Sequence, residues 1–363
     1  MKLIRIKSCC PRFSISRPNI CLTAALLALL ACSTYGREIK KDRETLICKS
    51  GVKTPVIVGK WWPITNNPMD HQYATDRQEP VDFAVWQAAD GTWQLWSCLR
   101  RTTAGGEHGA HRVFYRWEGK KLTDTYWKPM GIAMEADPRY GEHPGGMQAP
   151  HVVKVGDTYH LFYGDWRHIC HATSKDGKQF TRVIQPNGKT GMFEEAPKAT
   201  DSGILVNTRD IMMLNVDGLW YGYYTACDAR QGAVYCRTSR DFKSWSPSTV
   251  VAFGGRSGTG RGSAECPHVV KLDEKNFYLF RTQTYGLGPR RKRGTPQTSI
   301  YHSNNPKYFG INQDENYLVC RLPVAAPEIV YHEGKYYIAA LNTGSLDGIR
   351  MARLEFQERK SSQ

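Results

Sequence analysis

Apolar and polar positions alternate along most of this chain in short runs, and the runs recur. Five segments share one layout: PVDFAVWQAADGTWQLW from Pro80, APHVVKVGDTYHLFYGD from Ala149, TRDIMMLNVDGLWYGYY from Thr208, CPHVVKLDEKNFYLFRT from Cys266 and APEIVYHEGKYYIAAL from Ala326. In each, a polar residue opens a mainly apolar run, a Gly, Asp or Asn turn follows, and an aromatic-rich alternating run returns. Period-two alternation on both sides of a tight turn predicts a β-hairpin. No long segment has a 3.6-residue period, so few helices are expected.

The opening polar residues are Asp82, His151, Asp210, His268 and Glu328, which places successive hairpins 69, 59, 58 and 60 residues apart. Third strands follow in HATSKDGKQF from His171, RTSRDFKSW from Arg237 and YHSNNPKYF from Tyr301, each ending in a Ser-x-Asp/Asn turn before an aromatic residue. A near-constant period of about sixty residues, with room for four short strands, predicts an all-β fold: a five-bladed β-propeller in a single domain over residues 61–358. Residues 37–60 form a lead-in and 359–363 a tail. A β-sandwich is the alternative, but it does not account for near-equal intervals with the same internal punctuation.

Lys2, Arg5, Lys7, Arg12 and Arg17 precede an apolar run from Cys21 to Ala31, with no acidic residue before Arg37. A basic stretch followed by an apolar segment of about ten residues is too short to span a bilayer and reads as a signal for export over residues 1–36. The run ends Leu29-Leu30-Ala31-Cys32, which resembles a lipobox with a lipid anchor at Cys32; ordinary cleavage after Ala31, Ser33 or Gly36 is the alternative. Either delivers the chain to the periplasm, the cell envelope or the medium.

With 40% hydrophobic residues among 363 and a mean hydropathy of -0.51, the chain is neither disordered nor polytopic in a membrane. Removing the five leader cations from a net charge of +15 leaves +10. Seven cysteines remain beyond Cys32, an odd number, and Cys227 with Cys236 is the most plausible bridge. No Cys-x-x-Cys spacing suggests a structural zinc, no channel ligand set has a recognised metal spacing, and no cofactor is expected.

In a propeller the starts of the innermost strands converge on one end of the channel. The converging set would be Asp82, His151, Asp210, His268 and Glu328, with Glu265 three residues ahead of His268. Carboxylates crowded into one cavity repel, which raises some pKa values and separates acid from base. Glycosidic bond cleavage needs such a pair, one group to attack or to activate water and one to protonate the leaving oxygen.

Arg209-Asp210 and Glu265-Cys266-Pro267 resemble the Arg-Asp and Glu-Cys-Pro motifs of the invertase, fructanase and levansucrase clan, glycoside hydrolase families 32 and 68. The wider superfamily includes the five-bladed arabinanases and xylosidases of family 43. The resemblance implies a nucleophile or base at Asp82, a transition-state stabiliser at Asp210 and an acid/base at Glu265. Arg209, His151, His268 and Glu328 are taken as substrate contacts from their place at the channel end; the alternatives are an Arg209–Asp210 ion pair that locks a blade, and histidines that donate to carboxylates, tune a pKa or satisfy neighbouring backbone groups. His151 stands where family 43 carries a pKa-tuning Asp. The sequence departs from the family in three places. The first-blade motif Trp-Met-Asn-Asp-Pro-Asn-Gly is reduced to the Asp of PVDFAVW, Ile211 replaces the usual Pro, and no β-sandwich follows the fifth blade.

Trp61, Trp62, Trp86 and Trp166 suit stacking on a sugar face, although most propeller aromatics pack blades; Trp86 and Trp166 are taken as substrate contacts. Asp70 and His71 lie on a long connection that could reach the site. Arg290-Arg291-Lys292-Arg293 is either a solvated loop or, with the net charge, an attractor for an anionic glycan. No nucleic-acid-reading motif accompanies it. The expected partner is thus a carbohydrate substrate, and the alternative is a non-catalytic propeller that binds glycans on the same face.

Overall fold

The computed structural model describes residues 51–195, 208–228, 231–284, 297–342 and 346–358. These residues form 21 strands in five antiparallel sheets, with four short 3-10 turns and no α-helix among them. Among the described residues strand β1 (Thr54–Asn66) comes first. Blade one is β2 (Glu79–Gln87), β3 (Trp93–Arg100), β4 (Arg112–Gly119) and β5 (Lys128–Met134). Blade two is β6 (Gln148–Val155), β7 (Thr158–Gly164), β8 (Ile169–Ser174), β9 (Thr181–Arg182) and β10 (Gly191–Phe193). Blade three is β11 (Arg209–Val216), β12 (Leu219–Asp228), β13 (Gln231–Ser239) and β14 (Thr249–Ala252). Blade four is β15 (Glu265–Asp273), β16 (Asn276–Thr284), β17 (Gln297–Ser303) and β18 (Leu318–Leu322). Blade five is β19 (Glu328–His332), β20 (Lys335–Leu341), β21 (Gly348–Gln357) and, on its outer edge, β1.

The five-bladed propeller is therefore as the repeat predicts. The first strand of each blade touches the first strand of the next, β2 to β6 to β11 to β15 to β19 and back to β2, so these five line a channel. The Ser-x-Asp/Asn turns close the third strands. Ser174 Oγ donates to Asp176 and accepts from the Gly177 N–H, Ser239 does the same with Asp241 and the Phe242 N–H, and Ser303 Oγ accepts from the Asn305 N–H. Between the blades lie the aromatic side chains of the alternating runs, among them the fully buried Trp96, Trp117, Tyr163, Tyr223, Tyr278 and Phe280.

Two expectations change. Residues 54–60, assigned to the lead-in, are strand: β1 pairs with β21 from Thr54 opposite Gln357 to Asn66 opposite Gly348, a partner some 290 residues away that local pattern cannot reveal. No bridge joins Cys227 and Cys236. Across the β12–β13 pair Cys227 faces Gly232 and Cys236 faces Tyr223, four rungs apart, which is about 13 Å along a strand and beyond disulfide reach. The leader, Cys32 and Arg290–Arg293 lie outside the described residues.

Candidate active site

Four inner strands carry one non-glycine residue in the left-handed region, Asp82 (φ 42°), Ala149 (41°), Asp210 (57°) and Cys266 (46°), and in blade five Ala326 (47°) takes the same backbone two residues before β19 begins. In blades one to four the ladder slips at that residue, between Val81 and Phe83, Gln148 and His151, Arg209 and Met212, and Glu265 and His268. A bulge turns a side chain out of the strand's alternation and toward the channel end. Such backbone costs roughly 1–2 kcal/mol per residue with a Cβ, and five such residues ring one channel mouth.

The bulges correct the phase of the repeat. Asp82 and Asp210 are equivalent positions, but their counterparts in the other blades are Ala149, Cys266 and Ala326. His151, His268 and Glu328 stand two residues deeper, level with Ala84 and Met212. Matching polar residue to polar residue merged two tiers of the channel into one.

The upper tier gathers the carboxylates. Cys266 joins two of them: its thiol donates to Asp82 Oδ1 at 3.2 Å and its N–H donates to Asp210 Oδ2 at 3.1 Å. Glu265, the preceding residue, takes the Arg209 guanidinium, with Nη2 at 2.6 Å from Oε1 and Nε at 3.2 Å from Oε2. Arg209 Nε also lies 3.5 Å from Asp210 Oδ2. Burial raises the Asp210 carboxyl, Arg209 pulls it down, and the charges of Asp82 and Glu265 push it up again, leaving it at about 7. One cavity is lined by Asp82, His151, Asp210, Cys266 and Glu328, so side chains from all five blades meet there.

In the lower tier Glu328 sits between two imidazoles. His268 Nδ1 is 3.2 Å from Oε2 and His151 Nδ1 is 3.5 Å from Oε1. Burial alone would raise the Glu328 carboxyl, but the two histidines outweigh it through charge and hydrogen bonding and hold it at about 2. His151 and Glu328 line both the carboxylate cavity and a wider one further along the channel, so this cluster is the partition between them.

Arg112 escaped sequence reasoning. It opens the third strand of blade one, and its Nη1 lies 3.9 Å from Asp82 Oδ2 and 3.6 Å from Cys98 Sγ. Its guanidinium lies over the Trp166 ring, 5.0 Å from the centroid. Trp166, held at φ 85°, is thereby linked to Asp82 through Arg112 but does not line the carboxylate cavity. Trp86 is committed elsewhere: its indole N–H donates to Gly177 O, and it packs on Trp96 and Phe180 between blades one and two. Four residues down the strand from Asp82, it lines only the wider cavity. Trp61 stacks with Arg350 and Trp62 with Tyr337, both as blade-five packing. His71 packs on Tyr115, and neither it nor Asp70 lines the carboxylate cavity. No cluster of three or more His, Cys, Asp or Glu among the described residues is arranged to hold a metal.

Residues 105–338 match the family model described as the glycosyl hydrolases family 32 N-terminal domain, a span that includes Arg209, Asp210 and Glu265 and stops short of Asp82. No curated protein matches the sequence. Among solved structures, an endo-arabinase from Bacteroides thetaiotaomicron superposes with a TM-score of 0.56 at 13% identity, over 82% of this chain and 99% of that one. A thermostable family-43 glycoside hydrolase gives 0.52 at 15%, over 82% and 98%. A sucrose-6-phosphate hydrolase from Lactobacillus gasseri gives 0.51 at 14%, and this chain covers 60% of its length. At such identities these likenesses show the fold.

Proposed function

Because the chain belongs to the glycosyl hydrolases family 32 N-terminal domain family and is thus a glycoside hydrolase, we propose that it cleaves a glycosidic bond of an oligo- or polysaccharide outside the cytoplasm, with Asp82, Asp210 and Glu265 as its working carboxylates. The observation that carries this reading is the Cys266 junction. One residue binds Asp82 through its thiol and Asp210 through its N–H, and is itself peptide-bonded to Glu265. Asp82 and Asp210 are thereby tied to one point of the channel mouth, and Glu265, which does not line the carboxylate cavity, is held beside Asp210 by Arg209.

Asp82 is the nucleophile, or the base that activates water. Its oxygens are oriented by the Cys266 thiol on one side and the Arg112 charge on the other. Asp210 receives sugar hydroxyls next to the reacting carbon. Glu265 exchanges the proton with the leaving oxygen, and to do so it gives up one of its two Arg209 bonds as substrate enters. Arg209 therefore holds the acid/base in place between turnovers. Trp166, and the outer edge of Arg112, supply contact to the substrate beyond the cleaved bond. The lower tier of His151, His268 and Glu328 backs the site as a rigid floor.

Paired substitutions test the assignment. Glu265→Gln cannot release a proton and should slow hydrolysis of natural glycans by about a hundredfold or more, with much less effect on an aryl glycoside whose leaving group needs little protonation. Asp82→Asn should fail on both. Full activity of both variants on a natural glycan would overturn the assignment in favour of a propeller that only binds glycans.

A further inference from the structure

Arg281 is wholly buried on β16, between blades three and four. Its Nε donates to the Ser263 carbonyl at 2.7 Å, but Nη1 and Nη2 have no hydrogen-bond partner, and the buried Oγ of the same Ser263 has none either. Among the described residues no carboxylate forms an ion pair with it. The charged and titratable groups that act on it are Tyr301 and Asp314, and their effect is smaller than that of burial, which lowers its pKa. Asp314 is already committed: it accepts from the N–H groups of Arg256 and Ser257, the Ser257 hydroxyl and the Tyr301 hydroxyl.

A buried guanidinium with two unbonded Nη groups and no carboxylate in direct contact is a costly arrangement in a protein interior. Water could satisfy the two Nη groups but would leave only Asp314, which is not in contact, to oppose the charge. A small anion does both, accepting from the guanidinium fork and from a hydroxyl at once. We infer that Arg281 and Ser263 form a buried binding site for a small monovalent anion, of which chloride is the type. Ser263 is two residues ahead of Glu265, and Glu265 pairs across the ladder with Thr282, the neighbour of Arg281. An anion held there fastens the segment that delivers Glu265 to the channel, so the fold of the active site becomes halide-dependent. The inference does not depend on which residues cleave the substrate.

The test compares thermal unfolding of the full chain in sodium chloride, sodium bromide and sodium gluconate at equal ionic strength. The halides should raise the midpoint by about 3 °C or more over gluconate, as specific binding to the native state requires. The difference should vanish in Arg281→Met and shrink in Ser263→Ala. Crystals soaked in bromide should show an anomalous peak between the Arg281 Nη atoms and Ser263 Oγ. Equal midpoints in chloride and gluconate with no bromide peak would overturn the site in favour of water. A halide effect that persists in Arg281→Met would place it on surface cations instead. Should Arg281→Met not fold, the bromide peak and Ser263→Ala decide.

Discussion

Arg209 closes on Glu265 rather than on Asp210, its neighbour in sequence: the nearest approach is 2.6 Å to the first and 3.5 Å to the second. The Arg-Asp dipeptide suggests a pair, but adjacent residues on a strand point apart, and the partner comes from the next blade. The consequence is a division of labour, with the guanidinium holding Glu265 and Asp210 left more dependent on protonation.

That dependence has a sign. Asp210 stands at about 7 in the folded protein against 3.8 for an ordinary aspartate. The native state thus binds the proton more tightly than the unfolded chain. Its contribution to stability is full below pH 4 and is lost as pH rises to 7, by an amount on the order of a few kcal/mol. Asp210→Asn should flatten the thermal midpoint between those limits and leave the variant at least as stable as the parent at pH 8. Midpoints measured across the range check this, and an unchanged slope would contradict it.

Glu328 has the opposite sign. Held at about 2 against an ordinary 4.5, it contributes stability above pH 4.5 that is lost as pH falls toward 2. Glu328→Gln leaves both imidazoles facing an amide and should cost roughly 3 kcal/mol at neutral pH. Denaturant unfolding should show the gap between variant and parent closing as acid is added.

The bulge ring makes a prediction with no chemistry in it. Ala149 and Ala326 pay for left-handed backbone without using a side chain there. Ala326→Gly should therefore stabilise by about 0.5–1 kcal/mol, whereas Ala84→Gly, in a regular part of β2, should destabilise by a similar amount. Chemical denaturation of the two variants gives the comparison directly.

The basic run Arg290–Arg293, outside the described residues, lies in the sequence between β16, which ends at Thr284, and β17, which begins at Gln297. Replacing the four cations with Ser should weaken binding to a polyanion such as dextran sulfate mainly at low salt, because exposed charges act through attraction that salt screens. An unchanged salt dependence would return the run to an ordinary solvated loop.

The blades were legible because a hairpin writes its pattern into about seventeen consecutive residues, and five copies reinforce one another. The phase of the copies was not. A bulge adds a residue without altering alternation on either side, so Asp82 and His151 looked equivalent although Ala149 is the true counterpart. The triplets Ala149-Pro150-His151, Cys266-Pro267-His268 and Ala326-Pro327-Glu328 held the signal: a small residue, then proline, then the deeper polar group. Arg112 left no such trace, since it reaches Asp82 from two strands away. Trp86 misled because its period-two position puts it on the channel strand, while its indole is spent between blades.

The pairing of β1 with β21 sets an order of events. A ring fastened by its earliest strand against its latest cannot lock while the chain is still being made, so Thr54–Asn66 must wait without its partner until Gly348–Gln357 has emerged. Four blades can stack in the meantime, but the channel mouth stays open on one side. Asp82 and Glu265 acquire their fixed separation only when that clasp shuts. Loss of β21, all ten residues Gly348–Gln357, should leave β1 and β20 without their shared neighbour and the ring unclosed, which a fall in thermal midpoint together with lost activity would show.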